Sequence, residues 1–238
     1  MPEFTDLRIK IFADGADREG MVQLSKEPHI QGFTTNPTLM NAAGVRDLEA
    51  FARDILEAIP DKPISFEVFA DEFDEMEEQA LKISGWGPGV YVKIPVTNTR
   101  GESAAALVSR LCEQGIKLNV TALLTPAQVT TVAGALKGGP PAIVSVFAGR
   151  VADAGVDPIP LMRECLEIVK PNEQIELLWA SPREVLNIVQ ADEIGCHIIT
   201  VTHDLLKKLP SLGKDLTEFS LDTVKMFHRD GQAAGFAI

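Results

Sequence analysis

Two hydrophobic periods take turns along this chain from one end to the other. Short apolar, β-branched runs fall at 9–13, 30–34, 64–69, 90–96, 117–124, 142–148, 175–180 and 197–201. Each has the length of a strand. Such nearly continuous apolar runs suit strands covered on both faces. Between them the spacing is helical. In 45–58, Leu48, Phe51, Ile55 and Ala58 share one helix face. The segments 72–83, 101–114, 126–136, 159–169 and 182–192 read the same way. Thr125 before Pro126, and Ser181 before Pro182, each give a cap residue followed by proline. That pattern predicts a helix start at both places.

Eight strands alternating with helices predict a parallel sheet with right-handed crossovers. Eight units point to an α/β fold of the closed (β/α)8 type, a TIM barrel. An open doubly wound sheet is the alternative. It usually carries a glycine-rich turn after its first strand, whereas the turn here, Asp14-Gly15-Ala16-Asp17, lacks the GxGxxG pattern. Gly85-Trp86-Gly87-Pro88-Gly89 precedes a strand, so it reads as a helix-to-strand turn and not a phosphate loop. A single barrel domain is expected over 1–238, with 203–238 a C-terminal helical extension. The extension holds an amphipathic stretch at 221–229, expected to pack across the barrel or on a neighbouring subunit.

Composition narrows the function classes. A net charge of −12 disfavours nucleic acid and anionic membrane surfaces as partners. A small phosphorylated substrate remains open, provided that Arg or Lys residues gather locally. The three cysteines, Cys112, Cys165 and Cys196, form no metal-binding or CxxC spacing, and they read as reduced thiols of a cytoplasmic protein. The first residues show no basic region followed by an apolar run, so no signal peptide is expected. No stretch reaches the length of a membrane span.

In a barrel of this kind the chemistry sits at the C-terminal ends of the strands. The polar residues inside or just after the apolar runs are therefore the candidates. They are Asp14; Thr34, Thr35 and Asn36; Glu67; Lys93; Asn119 and Thr121; Ser145 and Arg150; and Ser181 and Arg183. Lys93 is flanked by apolar residues on both sides. A buried, unpaired ammonium costs several kcal/mol. Relief comes from giving up the proton, which makes a good amine nucleophile, or from pairing with a carboxylate. Glu67 faces the same penalty with opposite sign, and a plain buried salt bridge with Lys93 would satisfy both. With Asp14 as a second acid at a strand end, the set looks more like acid–base chemistry. Arg150 and Arg183 supply local positive charge, and Ser181 and Arg183 are expected to open a helix whose N–H groups favour an anion. Two exposed loop arginines would need no ligand at all.

These residues fall into spaced motifs. Gly32-Phe33-Thr34-Thr35-Asn36-Pro37-Thr38 resembles the GxTTNP signature of transaldolases, and Val92-Lys93-Ile94-Pro95 resembles the strand that carries their Schiff-base lysine. Asn119-Val120-Thr121, Ser145-Val146-Phe147-Ala148-Gly149-Arg150 and Ala180-Ser181-Pro182-Arg183 resemble three further motifs of that family, in the same order. The chain is short, like the compact transaldolases and their relative, fructose-6-phosphate aldolase.

The resemblance implies a Schiff base on Lys93, with Asp14 moving the C4 hydroxyl proton and Glu67 working with Thr121 through a water. It implies that Asn36 and Asn119 orient a dihydroxyacetone unit with Thr34 and Ser145 nearby, and that Arg150, Ser181 and Arg183 hold the phosphate. It implies no metal and no organic cofactor, sugar phosphates as the small-molecule partners, a role in carbohydrate metabolism and a homo-oligomer. The four histidines have no role in that scheme and read as structural or surface residues. Glu67 and Phe147 match transaldolases; the aldolases tend to have Gln and Tyr there, and a phenol at 147 would favour release of free dihydroxyacetone. The aldolase and a non-catalytic sugar-phosphate-binding barrel are the competing readings. Trp179 and Pro182 depart from the family pattern and are expected to reshape the phosphate end.

Overall fold

The computed structural model describes residues 6–235. Expectations for the first five residues and the last three lie outside that range. Eight parallel strands close into one barrel in sequence order, β1 Lys10–Asp14, β2 Ile30–Thr34, β3 Ile64–Glu67, β4 Val90–Pro95, β5 Leu118–Leu123, β6 Ala142–Val146, β7 Ile175–Trp179 and β8 Ile198–Thr202. The closed (β/α)8 barrel excludes the open sheet. Each strand lies within about one residue of an apolar run at its start, and most stop short of the run's end, where the chain leaves the ladder.

The helices form the outer layer. They are α1 Arg18–Leu24, α2 Pro37–Ala42, α3 Leu48–Ala58, α4 Phe73–Ser84, α5 Ala105–Glu113, α6 Pro126–Ala135, α7 Ala148–Asp153, α8 Pro158–Val169, α9 Leu186–Glu193, α10 His203–Leu206 and α11 Leu216–Ala234. At α6 the cap prediction holds: Thr125 and Gln128 form a reciprocal capping box ahead of Pro126. At Ser181–Pro182 it fails, and α9 begins only at Leu186. Ser181 has a φ of 62°, in the left-handed region, which bends the chain away from a helical start. The segment 85–89 is the helix-to-strand turn expected, and Trp86 packs edge-on against Phe66. The helices α1, α2, α7 and α10 have four to seven residues. They are too short to show a clear helical period.

Side chains alternate across each strand. One set, including Ile11, Phe33, Val92, Leu177 and Trp179, packs outward under the helices as the main core. The other set points into the barrel. Its lower layer is apolar: Phe12, Ile143, Leu178 and Ile198, with Tyr91 packed beside them. Two residues further along four of these five strands the inward positions become polar, at Asp14, Lys93, Ser145 and Thr200, while the chain just past β7 continues with Ala180. The barrel is thus plugged at the bottom and polar at the C-terminal end of its strands. The alternation also corrects one expectation. Trp179 is fully buried in the outer core, so it cannot shape the phosphate end.

The extension divides in two. Leu205, Leu206 and Leu209 are buried against the barrel, so α10 completes the eighth unit. By contrast α11 buries none of its residues. It does not pack across its own barrel. Among the described residues no helix is long and apolar enough to cross a membrane. No group of three or more His, Cys, Asp or Glu among them is placed to hold a metal ion. The three cysteines are buried and unpaired, and burial pushes the Cys165 and Cys196 thiols up to about 12.

Candidate active site

A cavity of about 680 Å³ opens at the C-terminal end of the strands. Eleven of the twelve predicted site residues line it: Asp14, Thr34, Asn36, Glu67, Lys93, Thr121, Ser145, Phe147, Arg150, Ser181 and Arg183. Strand register brings the key ones together. Glu67 lies level with Lys93, Lys93 with Asn119, and Asp14 with Thr34.

Lys93 is 6% exposed, in the interior of the barrel. Its Nζ donates to the Thr35 carbonyl at 2.8 Å and lies 3.0 Å from Glu67 Oε2. The amine therefore has both partners that a buried cation requires, yet it still faces the cavity. Asp14 sits across the interior. Its Oδ1 accepts a hydrogen bond from the Thr34 hydroxyl at 2.7 Å, and Thr34 in turn pairs with the Thr200 hydroxyl. Burial pushes the Asp14 carboxyl above the usual carboxylate range; Lys93 and the Thr34 hydroxyl oppose that push. A carboxyl raised by burial binds a proton more readily than an ordinary carboxylate, which suits a group that takes and returns one.

Thr121 and Asn119 come from β5. The Thr121 hydroxyl is buried and has no partner among the described residues, so it is free to bond a ligand or a water. The register against β6 shifts between Val120 and Leu123, and Ala122 has a φ of 63°. Ala122 and Ser181 are the two non-glycine residues with positive φ among those described, and both line the cavity. Backbone strain of this kind collects at functional sites. Asn119 is the one predicted residue that does not line the cavity. It is fully buried, donates to Ser65 Oγ at 3.0 Å and accepts from Ser145 Oγ at 2.6 Å. It lies beneath the cavity and orients Ser145. Asn36 caps α2, its Oδ1 accepting from the Leu39 N–H at 3.0 Å, so its amide N–H₂ remains available.

The outer rim carries the cations. Arg150 stands in the short helix α7, not in a loop, with its guanidinium 5.6 Å above the Phe147 ring. Arg183 is held by Asp153, with Nε 2.9 Å from Oδ1 and a second, closer contact through Nη2. Beside it the Asp153 carboxyl stays below the usual range. Gly149 makes this corner possible. A Cβ there would lie 1.5 Å from the Ser181 carbonyl oxygen, so only glycine lets the 180–182 peptide rest on α7. The Arg183 and Glu184 N–H groups are taken by the Asn187 side chain. This corner of the cavity therefore carries one arginine on α7 and one on a bent loop, and the predicted helix N-terminus is absent. Thr200 and Thr202 also line the cavity. Both were missed, because hydroxyls inside a β-branched run look like ordinary strand residues; alternation with Ile198 marks them as inward.

Fold and site together define a barrel with one enclosed amine between two carboxyl groups and cations at the rim. A family model for transaldolase/fructose-6-phosphate aldolase matches residues 11–238. The chain belongs to that family. It is 33% identical over 202 residues to a "Probable transaldolase" of Dehalococcoides mccartyi, covering 84% of this chain and 90% of that one. It is 36% identical over 194 residues to a "Probable transaldolase" of Streptococcus agalactiae, covering 81% and 86%. Among solved structures, a Burkholderia cenocepacia protein titled "putative lyase/mutase" superposes with a TM-score of 0.60 at 13% identity, over 87% of this chain and 84% of that one. At that identity the likeness extends to the fold alone.

Proposed function

We propose that this chain is a transaldolase, moving a dihydroxyacetone unit from a ketose phosphate to an aldose phosphate through a Schiff base on Lys93. The observation that carries the reading is the Lys93 amine, enclosed in the barrel 3.0 Å from Glu67, with Asp14 lining the same cavity. Lys93 passes a proton to Glu67 and attacks the ketose carbonyl. The carbinolamine hydroxyl leaves as water, with Glu67 returning the proton and Thr121 holding the water. Asp14 takes the proton from the C4 hydroxyl, the C3–C4 bond breaks, and the electron pair moves into the imine. The aldose phosphate leaves. A second aldehyde then adds to the enamine carbon, Asp14 returns its proton, and water releases the new ketose phosphate. Borohydride added with fructose 6-phosphate should leave a reduced three-carbon or six-carbon adduct on Lys93, read by peptide mass. Failure of the folded protein to trap would overturn the proposal.

Two further outcomes follow from the rim. Arg150 makes no ion pair within 4 Å among the described residues, whereas Arg183 is already paired with Asp153. Arg150 is thus the freer phosphate ligand. Arg150→Ala should raise KM for fructose 6-phosphate by roughly 10- to 100-fold while kcat changes less, since a charged hydrogen bond contributes about 1.5–3 kcal/mol. An equal KM for the phosphorylated substrate in both proteins would remove Arg150 from the phosphate site. Phe147 brings no hydroxyl to the cavity. Phe147→Tyr should increase free dihydroxyacetone formed without acceptor, measured by coupled reduction, at the expense of transfer.

A further inference from the structure

His203 lies outside the catalytic scheme just described, yet it is packed against the turn that carries Asp14. It is the first residue of α10, at the end of β8 next to β1. A Cβ on Gly15 would lie 2.8 Å from its Nε2, and one on Gly20 would lie 2.9 Å from its Nδ1. The imidazole therefore fills the space that side chains at Gly15 and Gly20 would need. Gly15 directly follows Asp14. The His203 Nε2 is buried and has no hydrogen-bond partner among the described residues. A buried ring nitrogen without a partner is costly, and such costs tend to persist where they serve a site.

We propose that His203 is a positioning residue for Asp14, a wedge behind the β1–α1 turn whose imidazole also acts as a charge-bearing neighbour of that carboxyl. The proposal rests on Asp14 being the proton shuttle. Several charged groups face the ring. Asp14 comes from β1 and Asp17 from the cap of α1; Asp204 and Lys207 come from its own helix. Glu27 and His29 share with it a cavity of about 470 Å³ on the outer side of the turn. Beyond Asp14, Lys93 and Glu67 complete the set. Burial holds the imidazole below its ordinary value, while Asp17 and Asp14 favour its charged form. Conversely, an imidazolium here favours the Asp14 carboxylate. Deleting it leaves the carboxyl protonated to higher pH, and the base form that breaks the C3–C4 bond is lost first on the acid side.

The test uses His203→Gln, without the ring or its charge, and His203→Phe, which keeps a ring without the charge. Both should keep borohydride trapping at Lys93. Each should show kcat within roughly threefold of the parent on the alkaline side of the pH profile, with the deficit growing to about tenfold on the acid side. A variant-to-parent ratio that stays flat with pH, whatever its size, would reduce His203 to packing and overturn the proposal. A second readout needs no turnover. The imidazole NMR signal missing in His203→Gln should titrate at lower pH in Asp14→Asn than in the parent, because the coupling is reciprocal. An unmoved signal would also overturn it. If Asp14→Asn retained full transfer activity, the shuttle role would fall, while the titration would still report the coupling.

Discussion

Lys93→Met should abolish transfer, with kcat falling by at least about 10⁴-fold, and should leave nothing for borohydride to trap. Covalent catalysis loses its nucleophile outright, and effects of that size follow removal of a group that forms the intermediate. The structure adds a second consequence. Glu67 is 18% exposed and Lys93 is its ion-pair partner at 3.0 Å. Methionine conserves the volume of the stem but leaves that carboxylate facing an apolar neighbour, and the Thr35 carbonyl loses its donor. Breaking such a pair costs more than the pair contributed. The variant should lose about 1–3 kcal/mol of stability by urea denaturation. Lys93→Met combined with Glu67→Gln should recover part of that loss while staying inactive. This cycle separates the catalytic role from the structural one. A purely structural pair would show the stability change while leaving transfer reduced only in proportion to the unfolded fraction.

The strands and the inward lysine were legible because their signal is local. A run of β-branched residues between helical segments needs no tertiary context, and Lys93 or Glu67 inside such a run is conspicuous by its cost. The same logic located Asp14, Thr121 and Ser145. What escaped depends on the third dimension. Ser181–Pro182 carries a helix-start pattern, but the close approach of Gly149 bends the chain there into a left-handed residue, and that contact spans more than thirty positions. Trp179 sits one residue from the cavity wall in sequence, yet strand alternation turns it to the opposite face. Asn119, read with the ligand residues, lies beneath the cavity, where its amide bonds to Ser65 and Ser145. His203 reads in the sequence only as a structural or surface histidine, because its neighbours, Gly15 and Gly20, are almost two hundred residues away. The amphipathic stretch at 221–229 belongs to a longer helix, α11 Leu216–Ala234, which buries none of its residues.

Asp14→Asn should separate activity from stability in opposite directions. Asparagine keeps an oxygen to accept from Thr34 and fits the same space, so the hydroxyl pair with Thr200 survives. It cannot take a proton, and kcat should fall by roughly 10²- to 10⁴-fold, the range for losing a general base. Stability should move the other way at neutral pH. The folded protein holds the Asp14 carboxyl above its ordinary value of 3.8, burial being the largest cause. The ionised form is thus disfavoured on folding. The parent carries no penalty from this group below the unfolded value, and loses stability as pH rises through the higher folded one. Asparagine has no such dependence. The gain in Tm from Asp14→Asn should therefore be near zero at acid pH, grow as pH rises through the folded value and level off above it. A buried carboxylate kept at a cost in stability marks a site built for chemistry and not for packing. A gain that is constant with pH, or a loss that grows with pH, would mean that the carboxylate is held by stabilising contacts. The proton shuttle would then have to be sought elsewhere in the cavity.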